Sequence, residues 1–247
     1  MKRILALILC IVTLTLTGCY EETPYEKMEK KTNSYGTGAS PLATERDTEG
    51  HNLIYIEMCI EKYGKVVFLL DATAAPKTVV NFCSLIKGGF YNEAERGDDR
   101  YRGNSFHIVD PGRLLQGGCP NADGTGTLEK KVEGEFSDNG YFGNDISHKK
   151  GVISMVREGT EDDPGYDTAA CQFFICMKDM SELDGNYAAF GYVIVGMSVL
   201  EEVMRDYSSA GDPEMRYIIE GKENQPIIRY IKGYNSSDNK LWSDKHN

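Results

Sequence analysis

Three polar side chains that could bind or polarise a substrate lie within one short stretch of the sequence, residues 105–120. His107, Arg113 and Gln116 are interspersed there with apolar residues, and a Pro-Gly pair just before Arg113 favours a turn or a bulge. A kink resets the period-2 alternation of side chains along a strand. The stretch therefore predicts two strand pieces with a kink between them, beyond which these polar side chains converge.

Other kinds of site are poorly supported by the sequence. The formal charge of −11 argues against nucleic acid as a partner, because nucleic-acid-binding surfaces are basic. The run Asp123-Gly-Thr-Gly lacks the lysine of a phosphate-binding loop and is interpreted as a turn. The acidic run 161–163 matches no complete calcium loop, and the cysteines show no zinc-ligand spacing, so we expect no metal.

The N-terminus has the pattern of an export signal. Lys2 and Arg3 precede an apolar run that is too short for a comfortable membrane span, and Leu-Thr-Gly follows it directly before Cys19. This ending resembles the lipobox of bacterial lipoproteins, which implies cleavage after residue 18 and a lipid on the Cys19 thiol. The alternative is an ordinary signal peptide in which Cys19 is incidental. Removal of residues 1–18 changes the formal charge from −11 to −13.

Composition divides the remainder into a tether, one domain and a tail. Residues 19–52 and 235–247 are polar and lack apolar periodicity, which is typical of flexible segments. Residues 53–234 contain several β-rich runs and two stretches with helical spacing, at 76–87 and 197–207. The pattern predicts a single closed all-β domain with two helices. We expect an extracytoplasmic protein held at the cell membrane by lipid.

Five cysteines remain in the predicted domain, an odd number. They are Cys59, Cys83, Cys119, Cys171 and Cys176. Scattered buried thiols are the favoured interpretation, although one disulfide is compatible with an oxidising compartment. The sequence does not indicate which two cysteines would form it.

An ordered set of motifs spanning residues 53–234 resembles cyclophilins. The set comprises Gly64-Lys-Val-Val-Phe, Ala75-Pro-Lys-Thr-Val-Val-Asn-Phe, Tyr101-Arg-Gly-Asn-Ser-Phe-His, Gln116-Gly-Gly, Gly124-Thr-Gly, Gly151-Val-Ile-Ser-Met, Gln172-Phe-Phe-Ile-Cys, and Leu183-Asp-Gly followed by Phe190-Gly. The resemblance implies a closed eight-stranded antiparallel barrel capped by two helices. It also implies a monomeric peptidyl-prolyl cis-trans isomerase that acts on proline-containing polypeptides and needs no cofactor.

The resemblance also assigns a substrate pocket, residue by residue. Leu114 and Phe174 form its apolar floor, and Gln116 and Gln172 hold peptide carbonyl groups. The other implied pocket residues are His107, Val156, Arg157, Leu183 and Tyr187. Tyr187 stands where the family usually has histidine. Its apolar ring and hydroxyl donor allow it to take the role of that histidine. Since isomerisation needs no proton transfer, His107 is interpreted as a structural or pocket-edge residue rather than a general base.

Two departures from the family pattern concern the catalytic arginine. The family has Phe-His-Arg, but this chain has Ile108 after His107, and isoleucine cannot donate a hydrogen bond to the proline nitrogen. Five positions later, Arg113 replaces an aromatic pocket residue. Three interpretations remain open: Arg113 supplies the guanidinium from another direction, the remaining pocket gives weak activity, or the domain only binds proline-containing segments.

Overall fold

The computed structural model describes residues 45–46, 52–93, 102–160, 162–208 and 217–233. The predicted signal segment 1–18, the lipidation residue Cys19 and the polar tail 235–247 lie outside the described residues, as does nearly all of the tether 19–52. Neither helix of the described part of the chain has the length and apolar character of a membrane-spanning segment.

One antiparallel sheet contains all ten strands of the described residues. The strands are β1 (Glu45–Arg46), β2 (Asn52–Ile60), β3 (Gly64–Asp71), β4 (Phe106–Asp110), β5 (Leu114–Gly117), β6 (Val152–Met155), β7 (Phe173–Cys176), β8 (Ala189–Val195), β9 (Tyr217–Ile218) and β10 (Ile228–Gly233). Their order is β1-β2-β3-β8-β6-β7-β5-β4-β9, with β10 paired to β2. The two helices are α1 (Pro76–Lys87) and α2 (Met197–Tyr207). The predicted all-β class and both helices are therefore confirmed.

Eight of these strands are longer than two residues, which agrees with the predicted number. The sheet curls, and the segments that lead into β4 and β10 meet each other. The Phe106 N–H donates to the Pro226 carbonyl at 3.0 Å, and the Ile228 N–H donates to the Asn104 carbonyl at 2.9 Å. Full closure of the barrel stays a prediction.

The main hydrophobic core fills the concave side of the sheet and is covered by the helices. Phe82 of α1 lies at its centre, with ring centroids 5.0 Å from Tyr91, 5.6 Å from Phe173 and 5.0 Å from Phe190. Such tilted and edge-to-face contacts are the favoured aromatic geometries. The five cysteines of the domain are free thiols, four of them buried.

The N-terminus of α1 is capped by a side chain distant in sequence. Pro76 begins the helix, and no side chain of the neighbouring residues caps it. Instead, the Glu135 carboxylate accepts the backbone N–H groups of Lys77 and Thr78 at 2.9 and 2.8 Å. Glu135 is only 1% exposed. This buried carboxylate satisfies donors that every helix start leaves unpaired and interacts favourably with the helix dipole.

The stretch 105–120 forms a hairpin, and its side-chain alternation is reset elsewhere than the sequence predicts. Pro111 and Gly112 lie in the turn between β4 and β5, with Gly112 at a φ of +68° that suits glycine. The reset occurs at His107, since the pairing register shifts between Phe106 and Ile108. Phe106 therefore packs in the core, whereas Ile108 faces the opposite side of the sheet.

Candidate active site

A cavity of about 940 Å³ lies on the face of the sheet opposite the main core, where β4, β5 and β7 contribute lining residues. The strand pairing explains which side chains reach it. Ile108 lies opposite Gln116, Gln116 lies opposite Phe174, and Phe174 lies opposite Ser154. Residues that face each other across antiparallel strands point to the same side of the sheet. The wall of the cavity therefore has the polar side chain of Gln116 between the apolar side chains of Ile108 and Phe174.

The floor of the cavity is an apolar cluster separate from the main core. Leu114 and Phe174 are 6% and 4% exposed and pack with four further buried residues, Val152, Cys176, Met180 and Ala189. Val156, Leu183 and Tyr187 pack against this cluster at its border. The Tyr187 ring meets the Phe174 ring edge-on, with centroids 5.7 Å apart. A shallow apolar surface enclosed by aromatic edges suits a proline ring.

Nearly all of the side chains predicted for the pocket line this cavity. They are Arg113, Leu114, Gln116, Val156, Arg157, Gln172, Phe174, Leu183 and Tyr187. His107 is the exception, because its side chain is fully buried and does not line the cavity. The Gln116 amide nitrogen lies 3.4 Å from His107 Nε2, which is within reach of a hydrogen bond to an unprotonated ring nitrogen. His107 therefore contacts the pocket residue Gln116 from behind the cavity wall.

The two glutamines are linked to each other and to the wall of the cavity. Gln116 donates its amide to the Gln172 side-chain carbonyl at 3.0 Å. The Gln172 amide donates to the backbone carbonyls of Gly124 and Gly126 at 3.0 and 2.7 Å. The loop interpreted as a turn in the sequence is thus held against the pocket by Gln172. This side chain uses its amide hydrogens within the protein, so its first role is to position that wall.

The guanidinium of Arg113 lies at one end of the cavity in an acidic setting. Its Nη1 is 3.2 Å from the Asp110 carboxylate, and its Nη2 is 3.7 Å from that of Glu182. The Arg113 side chain is 46% exposed, so solvent screens both pairs. Glu182 precedes Leu183 in the helical turn 181–183 at this end of the pocket. The two carboxylates hold the guanidinium at the cavity mouth.

A buried histidine supports the floor from beneath, and sequence reasoning missed it. His148 is 1% exposed, and its ring lies nearly parallel to that of Phe174, with centroids 6.0 Å apart. Its Nδ1 is 2.9 Å from the Asp184 carboxylate and its Nε2 is 3.1 Å from the Ser154 hydroxyl. These partners lie 36 and six residues away, and no local motif marks them. Ser154 is fully buried, so the arrangement orients the floor and cannot attack a substrate.

The protonation states of this group follow from its surroundings. Burial lowers the pKa of His148 below its usual 6.5, although the Asp184 carboxylate acts in the opposite direction. Burial tends to raise the pKa of Asp184, but hydrogen bonds from the His148 backbone and ring outweigh it and hold the pKa below its usual 3.8. At neutral pH the pair is thus a neutral imidazole that donates from Nδ1 to an ionised carboxylate and accepts from Ser154 at Nε2.

The match to a family model decides the identity of the domain. Residues 55–223 match the model described as cyclophilin type peptidyl-prolyl cis-trans isomerase/CLD. The chain belongs to the cyclophilin family. This is an enzyme family, the peptidyl-prolyl cis-trans isomerases. Among the described residues of this cyclophilin, no group of three or more His, Cys, Asp or Glu side chains is arranged to hold a metal ion.

This cyclophilin is similar to named bacterial isomerases. It is 36% identical over 142 residues to a peptidyl-prolyl cis-trans isomerase of Helicobacter pylori (strain ATCC 700392 / 26695), covering 57% of this chain and 74% of the relative. It is 33% identical over 162 residues to peptidyl-prolyl cis-trans isomerase B of Bacillus subtilis (strain 168), covering 66% and 95%. The fold matches a crystal structure of a Cryptosporidium parvum cyclophilin type isomerase with a TM-score of 0.56 at 22% identity, over 74% of this chain and 98% of the other.

Proposed function

We propose that this cyclophilin isomerises X-Pro bonds in extracytoplasmic polypeptides and thereby assists their folding. The observation that carries the proposal is the cavity itself: the apolar floor of Leu114 and Phe174 lies directly beside the polar side chain of Gln116. Such a surface holds a proline ring while a polar group orients the adjacent peptide. In this proposal the domain acts as a monomer and its sheet closes into a barrel, which the hydrogen bonds Phe106 N–H to Pro226 and Ile228 N–H to Asn104 support.

The chemistry requires binding energy and no covalent step. Rotation about an X-Pro bond is slow because amide resonance is lost in the twisted form. A pocket that binds the twisted form more tightly than the planar form accelerates the exchange. A hydrogen-bond donor at the proline nitrogen stabilises the twisted form further. Loss of one such preorganised donor commonly costs about 10²–10³ in rate.

Activity is reduced in this cyclophilin because Ile108 occupies the position of the family arginine. Ile108 is 4% exposed and contributes only an apolar wall to the cavity. Arg113 is the substitute donor that we propose, since its guanidinium lines the same cavity. Its ion pairs with Asp110 and Glu182 hold it at the mouth, so its approach to the proline nitrogen competes with two carboxylates.

A second candidate function is binding of proline-containing or unfolded segments without catalysis. The observation that favours it is the same pairing of Arg113 with Asp110, because an arginine held by a buried carboxylate is less available to the substrate. This candidate uses the same floor and the same glutamines. It differs from the first in predicting affinity for proline peptides with no acceleration of their exchange.

The proposed location is the outer face of the cell membrane, with Cys19 lipidated after cleavage of residues 1–18. The lipobox-like sequence supports this location. A Cys19→Ser variant should lose membrane partitioning in a detergent phase-separation assay, with Cys59→Ser in the domain as the matched control. Equal partitioning of the Cys19→Ser variant and the unmodified protein would count against the anchor.

A protease-coupled assay tests the isomerase proposal. The purified chain is added to a proline peptide whose trans form alone is cleaved, and the slow phase of cleavage is followed. We expect a slow phase whose rate rises linearly with protein concentration. A slow phase that is independent of protein concentration, although the peptide binds, would support the binding function instead.

A further inference from the structure

Arg157 is the second guanidinium of the cavity, and three aromatic rings surround it. Its Cζ lies 4.6 Å from the ring centroid of Tyr187, 5.1 Å from that of Tyr166 and 5.9 Å from that of Phe136. All three distances fall within the range of a cation–π contact. The rings come from three separate segments of the chain, so the guanidinium is enclosed by the tertiary structure.

Hydrogen bonds fix the guanidinium in this cage. Its Nε donates to the Asn186 backbone carbonyl at 2.9 Å, and its Nη2 donates to the Asn186 side-chain carbonyl at 3.2 Å. Its Nη1 donates to the backbone carbonyl of Pro164. These three bonds use three of the five N–H groups of the guanidinium, and among the described residues no acceptor is bonded to the other two. An arginine oriented in advance loses little entropy when it binds a planar anion.

Arg157 and Arg113 differ in their charged partners. Among the described residues, no carboxylate forms an ion pair with Arg157, whereas Arg113 pairs with both Asp110 and Glu182. The partners of Arg157 are aromatic faces and neutral carbonyl groups. A half-buried cation with only such partners attracts an anion from outside the protein.

Arg157 lies close to the apolar floor on which the proposed substrate proline binds. The Tyr187 ring contacts both the guanidinium and the floor, 4.6 Å from the Arg157 Cζ and 5.7 Å from the Phe174 centroid, and all three residues line the cavity. A proline over Phe174 would therefore have its neighbouring residue close to Arg157, since consecutive residues are spaced by about 3.8 Å.

We propose that Arg157 is a specificity-determining residue that binds a carboxylate on the substrate residue next to the proline. The proposal rests on the proposed function, because it assumes that a proline peptide occupies this cavity. The exposed Glu158 follows Arg157 directly and also lines the cavity, where it opposes the same ligand.

Matched peptides test the proposal. Two pairs of short peptides carry Glu or Gln either directly before or directly after the proline, and their catalysed exchange is measured by NMR at low and high salt. For at least one pair we expect a kcat/KM ratio of Glu to Gln of about threefold to fivefold at low salt, falling towards one at high salt. Gln is nearly isosteric with Glu, so this ratio isolates the charge.

Three variants assign the preference to Arg157. We expect Arg157→Gln to bring the ratio to about one, and Arg157→Lys to keep part of it because the charge remains. Glu158→Gln, the matched control, should keep or raise the ratio. The proposal is wrong if the unmodified protein does not distinguish either pair, if Arg157→Gln retains the preference, or if Glu158→Gln abolishes it. Thermal unfolding of each variant verifies that it is folded.

The same peptides separate this proposal from the proposed function. If no peptide shows accelerated exchange, the isomerase proposal fails, and the dissociation constants of both pairs are measured from chemical-shift titrations. A tighter Glu peptide that loses its advantage in Arg157→Gln then still supports the role of Arg157. Equal dissociation constants within both pairs contradict it.

Discussion

Ile108 and Gln116 lie directly opposite each other in the β4–β5 hairpin, and both line the cavity. The position at which the family carries its arginine thus faces a polar pocket residue but presents only a hydrocarbon chain. The neighbour of Ile108 on its other side is Ile218 of β9, which is 51% exposed. Because Ile108 and Ile218 both line the cavity, a longer side chain at position 108 extends along the cavity wall.

Restoring the arginine is the first prediction. We expect Ile108→Arg to raise kcat/KM by about tenfold or more, because a missing donor of this kind is commonly worth 10²–10³. Ile108→Met is the control, since it adds length without a donor and should give no comparable gain. A protease-coupled assay of both variants measures the effect. Equal rates for the two variants would contradict a role for the missing donor.

The second prediction concerns Arg113. If its guanidinium contacts the substrate in the twisted state, Arg113→Ala should lower kcat by about tenfold or more and change KM less. Arg205→Ala removes a similarly exposed and ion-paired arginine on α2 that does not line the cavity, and it serves as the control. Unchanged kcat in Arg113→Ala would leave Arg113 with a structural role at the cavity mouth.

The third prediction is a pH dependence of stability caused by His148. Its pKa in the folded protein lies below the unfolded value of about 6.5, so the unfolded chain binds more protons when the pH falls through this range. The contribution is fully present above pH 6.5 and is lost as the pH falls. We expect the free energy of unfolding to decrease from pH 7.5 to 5.5 more steeply in the unmodified protein than in His148→Gln. Parallel curves from urea titrations would contradict this assignment.

The fourth prediction concerns the long-range cap of α1. Glu135→Ala removes the acceptor of two helix N–H groups in a buried place, and we expect it to cost about 1–2 kcal/mol of the free energy of unfolding. Glu133→Ala is the control, because Glu133 is exposed and, within the described part of the chain, pairs with the Lys77 ammonium group at the surface. We expect Glu133→Ala to lower the free energy of unfolding by less than about 0.5 kcal/mol. Equal losses in urea unfolding would contradict the capping role.

Local patterns were sufficient to predict much of the fold. Both helices begin and end where the sequence predicts, because Pro76 and the Gly88-Gly89 pair mark α1 and the apolar spacing marks α2. The hairpin of β2 and β3 likewise follows from its alternating residues and a short turn. These features depend on residues close together in sequence.

Contacts between distant residues could not be predicted in this way. The register shift at His107 depends on how β4 pairs with β5, which a local pattern does not reveal. The sequence therefore placed the change in side-chain alternation at the nearby Pro-Gly pair. The contact of His148 with Asp184 spans 36 residues, and that of Glu135 with Lys77 spans 58. The aromatic cage of Arg157 joins three segments and has no local signature. The family resemblance gave Arg157 a place in the pocket but not this environment.

Direct measurement of cis-trans exchange in a proline peptide tests the central claim, that this cavity catalyses isomerisation. Two-dimensional exchange NMR is recorded on a short Ala-Pro peptide with catalytic amounts of the protein, and with Phe174→Ala as a variant that lacks the floor. We predict exchange cross-peaks with the unmodified protein that weaken strongly with Phe174→Ala. Peptide that binds at the cavity but exchanges no faster than peptide alone would contradict the account.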